Sequence, residues 1–303
     1  MENKPVFDIV LNDSRGFPAI NSAMSTPSYV PQLTVTSFVD ITPFGGYPTL
    51  PSSVASDIDN LARLARDVYS GTEIYNLLLH KPAESISGIV PGFSTVQNFS
   101  SGFSGVVFEN TLRQGNRVSL TIAFRGTDFR SEWVNTNIPQ LLLSAFTTSQ
   151  YGEAAKFMSD IELARIELER QGFQVDLTVV GHSLGGGLAQ FAAAQMLTPP
   201  DRIVTFNSAG LSEASLLEIG ERKLKSVSKQ SDVIHVRTNG DFASLVGGHL
   251  EGSVYNVPLR PGSSLFERVA SDAFDIIDPD RGVISQRHSM PNLSRNISEI
   301  ARQ

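Results

Sequence analysis

No helical or strand period runs through the first 55 positions, where Pro5, Pro18, Pro27, Pro31, Pro43, Pro48 and Pro51 interrupt regular structure. Residues 1–55 are therefore expected to form an irregular Pro/Ser-rich arm, and residues 56–303 a folded domain. The pattern changes at Asp57. Ile58, Leu61, Leu64, Ala65 and Val68 recur at helical spacing up to Tyr69, behind Ser56 as a suitable N-cap. Gly105 to Glu109 and Val118 to Phe124 read as neighbouring strands across the turn Gln114-Gly115-Asn116. Tyr151 to Gln171 sets Ala154, Phe157, Met158, Ile161 and Leu168 on one side of a long helix that Gly172 ends. Val175 to Val180 is a short, nearly unbroken apolar run, as a strand buried on both faces requires. Leu184 to Met196 returns to helix, and Ile203 to Phe206, Val233 to Val236 and Val254 to Val257 read as three more strands. This alternation predicts the α/β class, with a mostly parallel central sheet and helices on both faces.

Composition narrows what such a domain does. The 303 residues carry a formal net charge of −7, with 41% apolar and 18% charged positions. No Lys/Arg cluster stands out, so phosphate neutralisation, and with it nucleic-acid binding, is not expected. The same acidity offers no general attraction to anionic head groups, so contact with a lipid surface would rest on apolar groups. With no cysteine there are no disulfides, thiolate metal sites or cysteine nucleophiles. Met1 to Val10 lacks the apolar segment of a standard secretory signal, and no window reaches the ~18 apolar residues of a membrane span. The expectation is a cytoplasmic protein, or one exported by a route that reads no such signal.

The candidate chemistry centres on Val179-Val180-Gly181-His182-Ser183-Leu184-Gly185-Gly186. Gly-x-Ser-x-Gly between a predicted strand and a predicted helix is the context of a nucleophile elbow, a sharp turn that holds serine in a strained conformation. Glycines at 181 and 185 keep Cβ atoms out of the gap where strand and helix nearly collide. The helix start aims backbone N–H groups at a developing oxyanion. Ser183 is thus the expected nucleophile and the N–H of Leu184 the first oxyanion donor. His182 is expected to pack, because neighbours on such a turn point different ways. A second donor belongs at the end of an earlier strand, where Ile122-Ala123-Phe124-Arg125-Gly126-Thr127 offers the N–H of Thr127, with or without its hydroxyl.

The run Phe124-Arg125-Gly126-Thr127, then Trp133, then Gly181-His182-Ser183-Leu184-Gly185-Gly186, resembles the class 3 lipase family, the fungal-type triacylglycerol lipases and their bacterial and plant relatives. The likeness covers about residues 57 to 290. Ser101-Gly102-Phe103 adds a resemblance to bacterial members, phospholipases A among them. The resemblance implies the α/β-hydrolase fold, with Ser183 as nucleophile and Thr127 in the oxyanion hole.

In that architecture the acid follows the serine and the histidine follows the acid. Asp241 ends the run Arg237-Thr238-Asn239-Gly240-Asp241 directly after a predicted strand, with a shorter spacing than the Arg-x-x-Asn-x-x-Asp setting common in the family. Asp232, Asp275, Asp278 and Asp280 are its rivals. Chain order excludes His80 and His235 and leaves His288, after the final strand, preferred over His249. His288-Ser289-Met290 also leads towards a terminal helix, as in bacterial lipase-like proteins. The apolar run Ile138 to Phe146 lies where the family carries a lid, so Leu141, Leu142, Leu143 and Phe146 are expected to cover the acyl site and meet lipid; a core helix is the alternative. The expected activity is serine-dependent hydrolysis of acyl-lipid esters without metal or cofactor, acting on a lipid at a membrane or micelle surface. A small-ester carboxylesterase, a non-catalytic lipase-like binding or signalling protein, and a phospholipase delivered by a secretion machine are the competing readings.

Overall fold

The structure is a computed structural model that describes residues 38–39, 47–69, 80–83, 96–98, 102–110, 115–126, 148–241, 243–245, 247–258 and 289–303. Its elements run β1 (Phe38–Val39), α1 (Ser52–Asp67), β2 (His80–Pro82), β3 (Val96–Asn98), β4 (Ser104–Asn110), β5 (Arg117–Phe124), α2 (Thr148–Arg170) and β6 (Gln174–His182). There follow α3 (Leu184–Gln195), β7 (Arg202–Phe206), α4 (Glu213–Ile219), α5 (Glu221–Gln230), β8 (Asp232–Thr238), β9 (His249–Leu250), β10 (Ser253–Val257) and α6 (Met290–Ile300).

The main sheet has the order β10-β8-β7-β6-β5-β4-β2, with β3 also on β4. Strands β5, β6, β7, β8 and β10 are parallel, whereas β4 is antiparallel to β5 and carries β2 and β3 antiparallel. Gly115, at φ +63°, makes the turn into β5. Registry brings the parallel strands to a common end: Phe124 stands beside Gly181, His182 beside Phe206, and Phe206 beside Val236.

The period of two along each strand divides the core. Leu120, Ile122, Val175, Leu177, Val179, Ile203 and Val233 face α2, α3, α4 and α5. Ala123, Val180, Val204, Phe206, Ile234, Val236 and Val257 face α1 and α6. A mostly parallel sheet with helices on both faces is thus the observed architecture. Helix α3 is apolar all round, and its residues Leu184 through Ala194 are buried.

Helix α1 begins at Ser52, before the Ser56 cap that its periodicity predicts. Pro51 is the N-cap and the first turn is exposed, so no apolar period marks it. Leu50 is buried just ahead of it, and the Leu50 N–H donates to the Asn256 carbonyl at 2.9 Å. Helices α4 and α5 carry no pattern to predict them. Leu224 and Val227 are the buried residues of α5, and Ser215 and Ile219 those of α4.

Phe103, Phe124 and Phe157 form a mutually tilted aromatic cluster with centroids 5.7, 6.1 and 6.2 Å apart, pinning α2 to β5 beside the site-bearing edge. Gly105 admits it, because a Cβ there would lie 2.7 Å from the Phe157 ring. Phe157→Ala should lower the unfolding free energy by about 3–5 kcal/mol in a denaturant titration, as deep phenylalanine truncations do.

Candidate active site

Strand β6 meets helix α3 at Ser183, whose φ of 59° and ψ of −131° lie outside the ordinary regions for a residue with a Cβ. Such a conformation costs on the order of 1–3 kcal/mol and persists only when its neighbours over-determine it. They do so here. The Ser183 N–H donates to the Phe206 carbonyl at 3.1 Å, and the Ser183 carbonyl accepts the N–H groups of Gly186 and Ala209, each at 3.0 Å. A Cβ at Gly181 would lie 2.1 Å from the Gly185 carbonyl oxygen, and a Cβ at Gly185 would lie 2.3 Å from that of Phe124. A Cβ at Gly186 would lie 2.3 Å from Ser208 Oγ. Strand, elbow and helix complete the α/β-hydrolase plan expected from the sequence. Leu184 heads α3, so its N–H is one of the helix-start donors left without an intrahelical acceptor.

The end of β5 closes against this elbow. A Cβ at Gly126 would lie 3.1 Å from Ser183 Cβ and 2.6 Å from the His182 carbonyl oxygen. His182 shares a strand face with Val180 and turns towards α1, as packing requires. Its Nδ1 lies 3.0 Å from the hydroxyl of Tyr69, and the rings meet edge-on.

Asp241 follows β8 on the same sheet edge and is buried, at 1% exposure. Its Oδ2 accepts from the Ser244 N–H at 3.0 Å and the Ser244 hydroxyl at 2.7 Å. Its own N–H donates to the Thr238 carbonyl at 3.0 Å, closing a turn through Gly240 at φ +77°. Asn207, itself at φ 42°, ties this loop to β7: its Oδ1 accepts the Thr238 N–H at 2.6 Å. The rival Asp232 is exposed at the opposite end of β8, where it pairs with Arg202 at 3.0 Å.

His249 is buried beneath the edge, with Nδ1 3.4 Å from Nε2 of Gln190 and its ring 5.3 Å from that of His235. Gln190 also donates to Ser208 Oγ at 3.1 Å and accepts the Leu250 N–H at 2.9 Å. His235 donates from Nε2 to the Leu250 carbonyl at 2.8 Å, and Nδ1 lies 2.7 Å from the Thr205 hydroxyl. These bonds hold β7, β8, β9 and α3 together behind Ser183.

Burial, helped by neighbouring His235, pushes His249 down to about 3, and burial pushes His235 down to about 4. Both are neutral in the fold, whereas unfolded histidine protonates near pH ~6.5. The stability they confer is complete above that pH. It falls by up to about 1.4 kcal/mol per pH unit per histidine as acid is added, until the folded-state values are reached. Urea midpoints at pH 7 and pH 5 check this: the drop should be smaller in His249→Gln than in the parent.

The elbow tolerates side chains unequally. Gly185→Ala drives a methyl into the Phe124 carbonyl and should abolish ester turnover. Gly152→Ala, in exposed space on α2 with nothing within 4 Å of the new Cβ, should keep activity and gain up to about 1 kcal/mol. Parallel turnover and melting measurements on the two variants test the contrast.

Ser183, Leu184 and Asp241 thus share one sheet edge. Thr127, His288, Leu141, Leu142, Leu143 and Phe146 lie outside the described residues, as do Trp133, Asp275, Asp278 and Asp280. Tyr69, Gln190 and Asn207 are contacts that the sequence reading missed. An amide at the centre of an otherwise apolar Ala/Gly-rich run was a usable signal for Gln190; Tyr69 carried none. Among the described residues no group of His, Cys, Asp or Glu is arranged to hold a metal ion. Nor is any helix among them long and apolar enough to cross a membrane.

An extracellular phospholipase A1 of Serratia liquefaciens is 32% identical over 164 residues, 53% of this chain and 44% of that protein, so the match spans under half of the relative's length. Among solved structures, a lipase from Rhizopus microsporus var. chinensis superposes with a TM-score of 0.41 at 16% identity, over 70% of this chain and 76% of that one. The Rhizomucor miehei lipase propeptide complex gives a TM-score of 0.46 at 14% identity, over 77% and 78%. Residues 60–257, which take in the β5 end, the elbow and the Asp241 loop, match the phospholipase-like family described as the Tle-like phospholipase domain, and the chain belongs to that family.

Proposed function

We propose that the protein is a serine phospholipase of the A type, cleaving an acyl ester of a phospholipid through an acyl-enzyme. The observation that carries the reading is the strained Ser183 elbow, locked against Gly126 within a phospholipase-family match. In this mechanism Ser183 Oγ attacks the ester carbonyl and its proton passes to His288. The N–H groups of Leu184 and Thr127 stabilise the oxyanion. Collapse expels the lysophospholipid alkoxide, which takes the proton from His288, and water then repeats the sequence to release the fatty acid. Asp241 orients the imidazole and stabilises its charged form.

His288 is favoured over His249 by position. It immediately precedes Ser289, the N-cap of α6, and Pro291 and Asn292 line a cleft with Arg66 at the end of α1. That end of α1 is the one that reaches His182. His249 is instead buried at 1% exposure, with Nδ1 beside Gln190 and its ring against His235. Leu141, Leu142, Leu143 and Phe146 remain the candidate acyl and lipid contacts on composition; a jump in activity above the aggregation concentration of one ester supports that role, and smooth saturation opposes it.

Product analysis by mass spectrometry on a phospholipid with two different acyl chains tests the substrate. The name of the Serratia relative makes the sn-1 ester the one to watch. Fatty acid and lysophospholipid are expected; head-group release, or cleavage confined to short nitrophenyl esters, would oppose the proposal. Fluorophosphonate should label the parent and not Ser183→Ala, which should fold and lose at least about a thousandfold in kcat. His288→Ala should do the same, while His249→Ala retains turnover.

A further inference from the structure

Tyr69 closes α1, far from the strands that carry the chemistry, yet its hydroxyl sits between two of them. Tyr69 Oη accepts the N–H of Gly126 at 3.0 Å. The same oxygen lies 3.0 Å from His182 Nδ1 and 3.4 Å from the His182 carbonyl oxygen. A phenol has one proton to give and lone pairs to accept with. With Gly126 as donor, the hydroxyl still has its own proton to give, and the ring Nδ1 and the carbonyl of His182 both lie within its reach. One oxygen therefore ties the end of β5 to the residue before the nucleophile. The joint is closely fitted: a Cβ at Gly126 would lie 2.6 Å from Tyr69 Oη and 3.1 Å from Ser183 Cβ.

We propose that Tyr69 is a positioning residue for the oxyanion hole, acting through Gly126 on the donor that follows it. The inference rests on the serine-hydrolase reading above and deepens it. Thr127, whose N–H is the proposed second donor, is the next residue along the chain. Only the two backbone dihedrals of Gly126 separate its N–H from that of Thr127, and glycine has the widest freedom in both. Without an anchor at Gly126 N, the donor would be free to wander on the scale that matters for an oxyanion, about half an ångström. The hydroxyl supplies that anchor and takes its own reference from His182, one residue from Ser183. The hole is thereby fixed to the nucleophile rather than to the loop. A donor misplaced in this way weakens transition-state binding and leaves ground-state binding intact.

The test is Tyr69→Phe, which removes one oxygen and keeps the ring. On a phospholipid ester, kcat should fall about ten- to a hundredfold, with KM within about twofold. The affinity for a trifluoromethyl ketone, which forms an oxyanion on Ser183, should weaken by the same factor as kcat/KM. A lowered melting temperature with unchanged kcat and unchanged ketone affinity would show a purely structural bond and overturn the proposal. Should Tyr69→Phe fail to fold, His182→Leu removes the nearer partner and should lower kcat several-fold. His182→Asn restores a polar partner near Nδ1 and should recover most of that loss; equal kcat in both variants would overturn the proposal. Ser183→Ala run alongside separates the two levels of argument. Turnover surviving there removes the serine-hydrolase reading itself, whereas an inert Ser183→Ala beside a fully active Tyr69→Phe removes the role of Tyr69 alone.

Discussion

The near-collision of β6 with α3 is the constraint on which the site depends. Gly181 and Gly185 approach so closely that neither position admits a Cβ, and Ser183 lies between them with a positive φ. The strain has no local remedy. It is held by the carbonyl of Phe206 on one side and by the N–H groups of Gly186 and Ala209 on the other. The groups of Phe206 and Ala209 arrive through the registry of β7 on β6, and that of Gly186 from the first turn of α3. If β7 slipped by one residue against β6, the elbow would lose its acceptor and the loop bearing Ser208 and Ala209 would move with it.

The two faces of the sheet make different contributions. The face packed by α3 supplies rigidity: Gln190 gathers Ser208, His249 and Leu250 into one buried polar group behind Ser183. Such a network specifies one arrangement of the surrounding strands because its members have few other partners at that depth. The face packed by α1 and α6 meets the catalytic edge directly. Tyr69 reaches His182 and Gly126 from the end of α1, and Ser289 begins α6 on the same side. Asn207 joins the two arrangements, fixing the start of the Asp241 loop to the strand beside the elbow.

The sequence exposed those parts of the structure whose physics is local. The apolar run Val175 to Val180 and the stripe of Ala154, Phe157 and Ile161 mark a buried strand and a packed helix without reference to anything distant. The glycine pattern around Ser183 is equally local, because steric exclusion operates over a few residues. Helices α4 and α5 escaped because each is short and buries only two residues, Ser215 and Ile219 in α4 and Leu224 and Val227 in α5. The Tyr69 bridge escaped for another reason. Its partners lie 57 and 113 positions away, and a tyrosine after an apolar stripe looks the same whether or not its hydroxyl finds a partner. His182 packs, as its place on the turn implies; its contact with the bridging hydroxyl depends on the end of α1 coming to rest beside it.

One pairing sets a schedule for the nascent chain. Helices α1 and α6 lie side by side, with the Ser56 hydroxyl bonded to the carbonyl of Ala301, 245 residues later. The apolar stripe of α1, from Ile58 to Ala65, is made long before the part of its cover that α6 supplies. At about 5–20 residues per second, that stripe waits on the order of 10–50 s for α6 to leave the ribosome. During the wait it is a sticky surface in need of a chaperone or of the sheet alone. Residue 290 must be in place before α6 begins, and His288 lies just ahead of it. Until then the stripe of α1 lacks the partner that Ser56 and Ala301 tie to it. The α1 face of the sheet is therefore closed only after α6 has emerged, well after the elbow itself has been made.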